Sequence, residues 1–337
     1  EVRHILQEGE GQMLLLQRED IERVFSMKDA IEADKEAFAL ASAQKAVMPL
    51  RATLSATDGT FLFMPSYAEE LKYGALKTVN VFPGNAEKDI PVTQGLITLM
   101  DGETGAFAAV LDGTYVTALR TGASAGAAFD LFARKDASVG ALIGTGGQAQ
   151  AQLEAMICNR NLKEVRVFSR REEKRIAFAK RMNDLYGSGS LCIIPVPSAD
   201  EAVTGADVIA AATTSTTPVI KGDCVKAGAV VCGVGSYTPH MVELDVTLLK
   251  KAASIYVDSK EAVWAEAGDF LIPEKTGEFS RSGITGEVGD VINGIVKGRE
   301  HEDDIIVFKS VGIGVQDLVT AARIYEKAKA AQVGTQW

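Results

Sequence analysis

The sequence has little of what builds a metal site. Its three histidines, His4, His240 and His301, are scattered and share no ligand spacing, so a histidine-based metal centre is not expected. Cysteine is almost as sparse. Cys158, Cys192, Cys224 and Cys232 form neither a CxxC nor a Cys/His ligand pattern. Three lie in or beside apolar runs and are expected as buried free thiols in a reducing cytoplasm, not as a disulfide framework. No apolar run reaches the roughly 18–20 residues of a membrane span, and the beginning carries no leader-like pattern. Positive charge is also short: 35 lysines and arginines face 45 acidic residues, a formal net charge of −10. Binding nucleic acid needs a basic face, so neither nucleic acid nor a membrane is expected as a partner. A local basic pocket stays open.

What is present points to a folded, two-domain chain. Length (337 residues) allows two cores, and 47% hydrophobic with 24% charged residues predicts a globular protein. Residues 1–12 read as an extension. Ser26 to Asp29 resembles a capping box opening a helix that runs to about Lys45. Short alternating runs follow at 60–67, 73–82, 95–101 and 106–113, separated by turn signals such as PGN and DGETG. They predict an antiparallel meander, followed by a helix of small residues over 114–132. From Ser138 onward, apolar strands alternate with helices: 138–144, 164–169, 191–196, 206–213, 229–234, 254–258 and 304–310. That rhythm predicts a parallel, doubly wound sheet. A last helix, from about Gln316 to Ala331, should lie outside it. The expected fold class is α/β, a Rossmann-type sheet plus a β-rich N-terminal substrate and dimerisation domain.

The segment ALIGTGGQAQAQ (141–152) sets Gly144, Gly146 and Ala149 in a Gly-x-Gly-x-x-Ala frame between strand and helix. Such a frame gives a tight turn, close backbone approach to a pyrophosphate, and helix–strand packing. Gly147 and Gln148 are expected cofactor contacts at the helix start. Thr213 follows the fourth strand, and Val234 ends the fifth. The second strand ends in Phe168-Ser169-Arg170-Arg171 instead of an acidic residue. A carboxylate there would favour NAD; Ser169 and the two arginines suit the 2′-phosphate of NADPH. NADH is the alternative, with both arginines then plain helix-start charges.

Several segments together resemble the ornithine cyclodeaminase/μ-crystallin family: MPLR (48–51), FMPSY (63–67), GALKTVNVFPGN (74–85), DGETGAFAAVLDGTYVTALRTGASAGA (101–127), GTGGQAQAQ, and KSVGIGVQDL (309–318). The resemblance spans roughly residues 13–330. It implies a homodimer in which residues 13–125 with 315–337 form the substrate and dimerisation domain, and 126–314 the dinucleotide domain. It nominates Arg51 as a clamp for a substrate carboxylate, Lys77 as the active-site lysine, and Arg120 at the substrate–cofactor junction. Thr93 falls near a cofactor-contacting position. Ser310, Val311 and Gly312 match a segment closing over the nicotinamide, with Val311 and Gly312 also expected beside the substrate. Asp317 reads as functional or, more economically, as a helix N-cap.

The resemblance also frames the reaction. In the cyclodeaminase branch an aspartate follows the glycine turn and handles the amine. Counting back from Glu243-Leu244 puts Tyr237 of GVGSYTPHM (233–241) at that place. A neutral phenol with a reference pKa of about 10 does not replace a carboxylate. The expected activity is therefore NADPH-dependent reduction of a cyclic ketimine carboxylate, Δ1-pyrroline-2-carboxylate or Δ1-piperideine-2-carboxylate, in proline or pipecolate metabolism. Arg51 and Lys77 would hold the carboxylate, Arg120 would support them, and Lys77 or a water would give the proton. Tyr237 orders that water or simply packs; His240 reads as structural. Alternatives are an amino-acid dehydrogenase, ornithine cyclodeaminase itself, and a non-catalytic NADPH or small-ligand binder.

Overall fold

The computed structural model describes residues 13–88, 90–187 and 189–337. The proposed extension at 1–12 and His4 lie outside the described residues. The chain divides into two compact units, one running to Arg120 and including Ile313–Trp337, the other Thr121–Gly312. Among the described residues, no helix is long and apolar enough to cross a membrane.

The first unit starts with β1 (Leu14–Leu16), α1 (Arg18–Val24) and α2 (Met27–Ser42). Ser26 caps α2: its hydroxyl accepts from the Asp29 N–H, and the Asp29 carboxylate accepts from the Ser26 N–H, the reciprocal capping box read from the sequence. Short strands β2 (Ala46–Val47) and β3 (Ala52–Ser55) precede the meander β4 (Thr60–Ala68), β5 (Tyr73–Val81), β6 (Thr93–Asp101) and β7 (Phe107–Asp112). Successive pairs are antiparallel, as the alternation predicted. β1 adds in parallel against β7, which the sequence reading did not include. Helix α3 (Gly113–Phe132) then runs across the boundary between the units.

The second unit holds β8 (Val139–Ile143), α4 (Ala149–Asn159), β9 (Glu164–Phe168), α5 (Glu172–Tyr186), β10 (Cys192–Pro195), α6 (Ala199–Val203) and β11 (Val208–Ala211). It continues with β12 (Val230–Gly233), α7 (Val246–Lys251), β13 (Ser254–Val257), α8 (Lys260–Glu266), α9 (Gly268–Lys275), β14 (Gly286–Glu287), α10 (Val288–Ile292) and β15 (Ile306–Lys309). The order across the sheet is β10-β9-β8-β11-β12-β15-β13-β14, and every pair is parallel. Central strands β11, β12 and β15 are buried throughout, as a sheet covered on both faces requires. The winding reverses between β8 and β11, so their carboxyl ends form the crevice where open α/β sheets bind ligands.

The chain ends in the first unit with α11 (Gly314–Ala331) and β16 (Thr335–Gln336), the latter paired antiparallel with β1. α11 packs on β4, β5 and β6, and α2 packs on α11. The opposite face of this sheet stays open, with Phe61, Pro65 and Leu96 exposed. The expectation of buried thiols is corrected at two positions. Cys158 and Cys192 are exposed, while Cys232 is buried. Cys192 opens the edge strand β10 at an exposed position, and Cys158 lies in the last turn of α4.

Candidate active site

The first unit buries positive charge. Lys77 sits midway along β5, on the same face as Ala75 and Val79, because alternate strand residues share a face. That face is the one covered by α11, and Lys77 is only 1% exposed. An isolated buried ammonium is too costly to keep, so a partner is required. It is Asp317 of α11, whose Oδ2 lies 2.7 Å from Lys77 Nζ and whose Oδ1 accepts from Arg120 Nε at 3.1 Å. Asp317 and Arg120 are themselves buried. The start of α11 is fixed from two sides: Ser66 Oγ of β4 donates to Gly314 O at 2.9 Å, and Gln316 Nε2 donates to Asp34 of α2 at 2.8 Å. Burial, then the Arg120 charge, lowers the pKa of Lys77 to about 7; Asp317 opposes them and Arg51 adds to the depression. Lys77, Arg120 and Arg51 thus share one local field, as expected from the sequence.

The N-cap reading of Asp317 is corrected. The cap position is Ile313, and Asp317 stands inside the helix as the counterion of two cations. Its signal was available in principle, because a carboxylate on the apolar stripe of a helix demands a cationic partner.

In the second unit, groups gather at the carboxyl ends of the strands. Gly144 follows β8 with φ +110°, and a Cβ there would lie 2.6 Å from Ala212 O. Only glycine satisfies both demands. Gly146 and Gly147 face open space, so their side of the loop can take a ligand against the backbone. Gln148 holds the N-cap of α4, and its Oε1 is buried without a hydrogen-bond partner among the described residues. Ala149 opens the helix, fully buried. Ser169 follows β9 and accepts a hydrogen bond from Thr145 Oγ1 at 3.0 Å. Arg170 and Arg171 are exposed, Arg171 being the N-cap of α5. Arg175, which the sequence reading did not single out, donates to Ser169 O at 3.3 Å from beneath. An orphaned acceptor, a glycine cradle, a helix N-terminus and no acidic residue at the end of β9 together fit a dinucleotide.

Three carboxylates missed in the sequence hold these strand ends in place. Glu243 accepts from Thr213 N–H and Oγ1 and from the N–H groups of Gly235 and Ser236, at 2.6–3.0 Å. Burial raises its pKa, with Lys309 opposing. Asp269 accepts from the N–H groups of Glu243 and Leu244, and lies 3.1 Å from Lys309 Nζ. Asp258 Oδ2 accepts from Ser310 Oγ and from the N–H groups of Val311 and Gly312. Val234 donates its N–H to Ala211 O. The predicted residues Thr213, Val234, Ser310, Val311 and Gly312 therefore fall on loops fastened from below. Val311 and Gly312 belong to the second unit, whereas Arg51, Lys77, Arg120 and Thr93 belong to the first. Thr93 opens β6. In GVGSYTPHM, Ser236 is buried, Tyr237 half-buried, and His240 exposed. The structural reading of His240 is not supported: its ring meets only the Thr238 hydroxyl at 3.4 Å among the described contacts.

A doubly wound parallel sheet with a glycine loop at its switch point is the architecture of a dinucleotide-binding protein, and the buried cations suit a small anionic substrate. Comparison with known proteins places it further: the chain belongs to the ornithine cyclodeaminase/mu-crystallin family, whose sequence profile matches residues 11–332. A Δ1-pyrroline-2-carboxylate reductase of Bacillus cereus is 36% identical over 324 residues, 96% of this chain and 98% of that protein. The structure of Thermococcus litoralis Δ1-pyrroline-2-carboxylate reductase with NADH and L-proline is similar with a TM-score of 0.91 at 39% identity, covering 96% of this chain and 99% of that one. An archaeal alanine dehydrogenase dimer with bound NAD gives a TM-score of 0.89 at 36% identity, over 97% and 99% of the two chains. Like these relatives, the chain is an oxidoreductase of carbon–nitrogen bonds.

Proposed function

We propose that the protein reduces the C=N bond of a cyclic imine carboxylate, Δ1-pyrroline-2-carboxylate or Δ1-piperideine-2-carboxylate, to L-proline or L-pipecolate. One observation carries this reading: a lysine 1% exposed, with its pKa lowered to about 7, stands among two arginines and one carboxylate. Arg51 and Arg120 each offer a guanidinium fork that matches a carboxylate. They would hold the substrate's carboxylate. Lys77, titrating near neutrality, would give its proton to the ring nitrogen on reduction and take one back on oxidation. When bound, the reduced nicotinamide supplies the hydride that the imine carbon receives. The loop at Gly144–Ala149 would hold the pyrophosphate; Thr213, Val234 and Ser310 would line the dinucleotide, with Thr93 approaching it.

NADPH is the proposed cofactor, with Ser169, Arg170 and Arg171 on its 2′-phosphate. The NADH held by the Thermococcus relative keeps NADH as the alternative. Amino-acid dehydrogenation is the second reading, favoured by the likeness to the alanine dehydrogenase. Ornithine cyclodeamination is disfavoured because residues 236–238 are Ser-Tyr-Thr, without an acid. We further propose a homodimer closing over the open sheet face that exposes Phe61 and Leu96, since monomers rarely leave such faces bare. A reducing cytoplasm would suit the exposed thiols of Cys158 and Cys192.

The test follows NADPH oxidation with each cyclic imine and with pyruvate plus ammonium, beside ammonia release from ornithine with NAD+. Turnover of a cyclic imine is expected. Turnover of pyruvate and ammonium alone would move the assignment to a dehydrogenase, turnover of ornithine alone would overturn both, and none anywhere would support a binder.

A further inference from the structure

Lys309 ends β15 fully buried, and its ammonium takes no part in the proposed chemistry. Three groups face it. Its Nζ donates to Ser236 O at 2.6 Å and lies 3.1 Å from Asp269 Oδ2, and its charge opposes the rise that burial causes in the Glu243 pKa. Ser236 is fixed at each of its polar atoms. Its N–H donates to Glu243 at 3.0 Å, its hydroxyl donates to Met241 O at 2.6 Å, and its carbonyl accepts from Lys309. One residue earlier, a Cβ on Gly235 would lie 2.2 Å from Thr213 N. The turn after β12 thus lies directly against the turn after β11, and through the Ser236 carbonyl it leans on the end of β15. Replacing a buried ion pair by apolar side chains of like volume is often neutral for stability, so holding the fold is not a sufficient account of this lysine.

The sheet order gives that turn its meaning. A dinucleotide-binding sheet has two mononucleotide halves that meet at the switch point. Here β8, β9 and β10 carry the glycine loop and the Ser169–Arg171 corner, the adenosine half of the proposed site. β11, β12 and β15 form the other half, so the turns that leave them at Thr213, Val234–Ser236 and Ser310 fall to the nicotinamide. Resting on the proposed dinucleotide site, we infer that Lys309 is a positioning residue for the nicotinamide, holding the turn after β12 through the Ser236 carbonyl. A side chain with no exposed surface does not reach the ring itself. Its effect passes through the turn, and hydride transfer is sensitive to misplacement on the scale of an ångström. The adenosine half rests on other strands and is outside the reach of this lysine.

The test separates the two halves by binding. Lys309→Met removes the ammonium and keeps an unbranched side chain. The full chain is titrated with NADPH and with 2′,5′-ADP, a fragment that carries the adenosine half alone; NADH and 5′-ADP take their place if wild type prefers NADH. Affinity for the whole cofactor should fall about tenfold while affinity for the fragment stays within about twofold. The fluorescence of the bound reduced ring should move toward that of the free cofactor. The single change strips Asp269 and Glu243 of their cation, so Lys309→Met/Asp269→Asn is measured beside it. The asparagine oxygen still accepts from the Glu243 and Leu244 N–H groups, and the ion pair is removed as a unit. The double variant should show the same split. Wild-type affinity for the whole cofactor in either folded variant, or equal losses for cofactor and fragment, overturns the inference and leaves the proposed function standing. Failure of both variants to fold overturns it too, making Lys309 a residue of the fold alone. A wild type that binds neither NADPH nor NADH removes the dinucleotide site and the inference together.

Discussion

Both units bury ionised side chains, yet they use them in opposite ways. In the second unit the carboxylates outnumber the lysine, Glu243 and Asp269 against Lys309, and the surplus negative charge is met by backbone N–H groups and hydroxyls. In the first unit two buried cations, Lys77 and Arg120, share the one carboxylate of Asp317. The first arrangement answers its own charge and so acts as a fastening for loops. The second leaves positive charge that an anionic ligand can answer. Burial of charge alone does not distinguish a scaffold from a site; the sign and completeness of its neutralisation does.

The largest effect should come from removing the proposed donor. Lys77→Met is expected to lower kcat/KM for the cyclic imine by about 10²–10⁴, with the fold kept because Asp317 retains Arg120. Steady-state NADPH oxidation and circular dichroism check both halves. An activity loss accompanied by unfolding would make Lys77 a fastening too, erasing the contrast. Next comes the scaffold. Glu243→Gln puts an amide N–H₂ against donors and should cost about 1–3 kcal/mol of stability, read as a lower Tm. Its apparent KM for dinucleotide should rise, while the pH profile set by Lys77 stays where it was. A moved profile would mean that the two networks are one.

A smaller effect concerns pH. With Lys77 as the proposed donor, only its ammonium form serves, so reductive kcat/KM should fall as pH rises through about 7, and oxidation of the proposed product L-proline should rise across the same range. The stability sign follows from the same shift. The folded pKa lies below the unfolded value of 10.5, so between about 7 and 10.5 the unfolded chain holds more protons and this lysine's destabilising burden eases as pH rises. Thermal melts of wild type and Lys77→Met across that window should show the difference narrowing in favour of the wild type. Smallest of all is Arg170→Ala, expected to raise KM for NADPH about tenfold and to leave NADH unchanged. No change with NADPH would discard the 2′-phosphate proposal.

Much of the fold was legible because period-two alternation and the glycine loop are local signals. β4 to β7 and the second sheet follow from residues within a few positions of each other. The cations Lys77 and Arg120 were legible through resemblance, but their counterion was not. Asp317 touches Lys77 only after the chain has gone through the whole second unit, and its near neighbours in sequence suggested a cap instead. Glu243, Asp258 and Asp269 were hidden for a related reason: each works on N–H groups of other loops, contacts that no spacing rule encodes. Cys192 misled because an apolar run does not reveal that its strand is the sheet's edge.

The position of α11 gives the first unit an unusual birth. Its sheet and both arginines leave the ribosome before the second unit, but the helix that covers Lys77 and brings Asp317 follows the whole of it. Until then the sheet lacks its lid and the lysine lacks its counterion. The half-made chain lacks the burial that lowers the pKa of Lys77. A chain cut anywhere before Ile313 is therefore born without the helix that covers Lys77 and without its counterion.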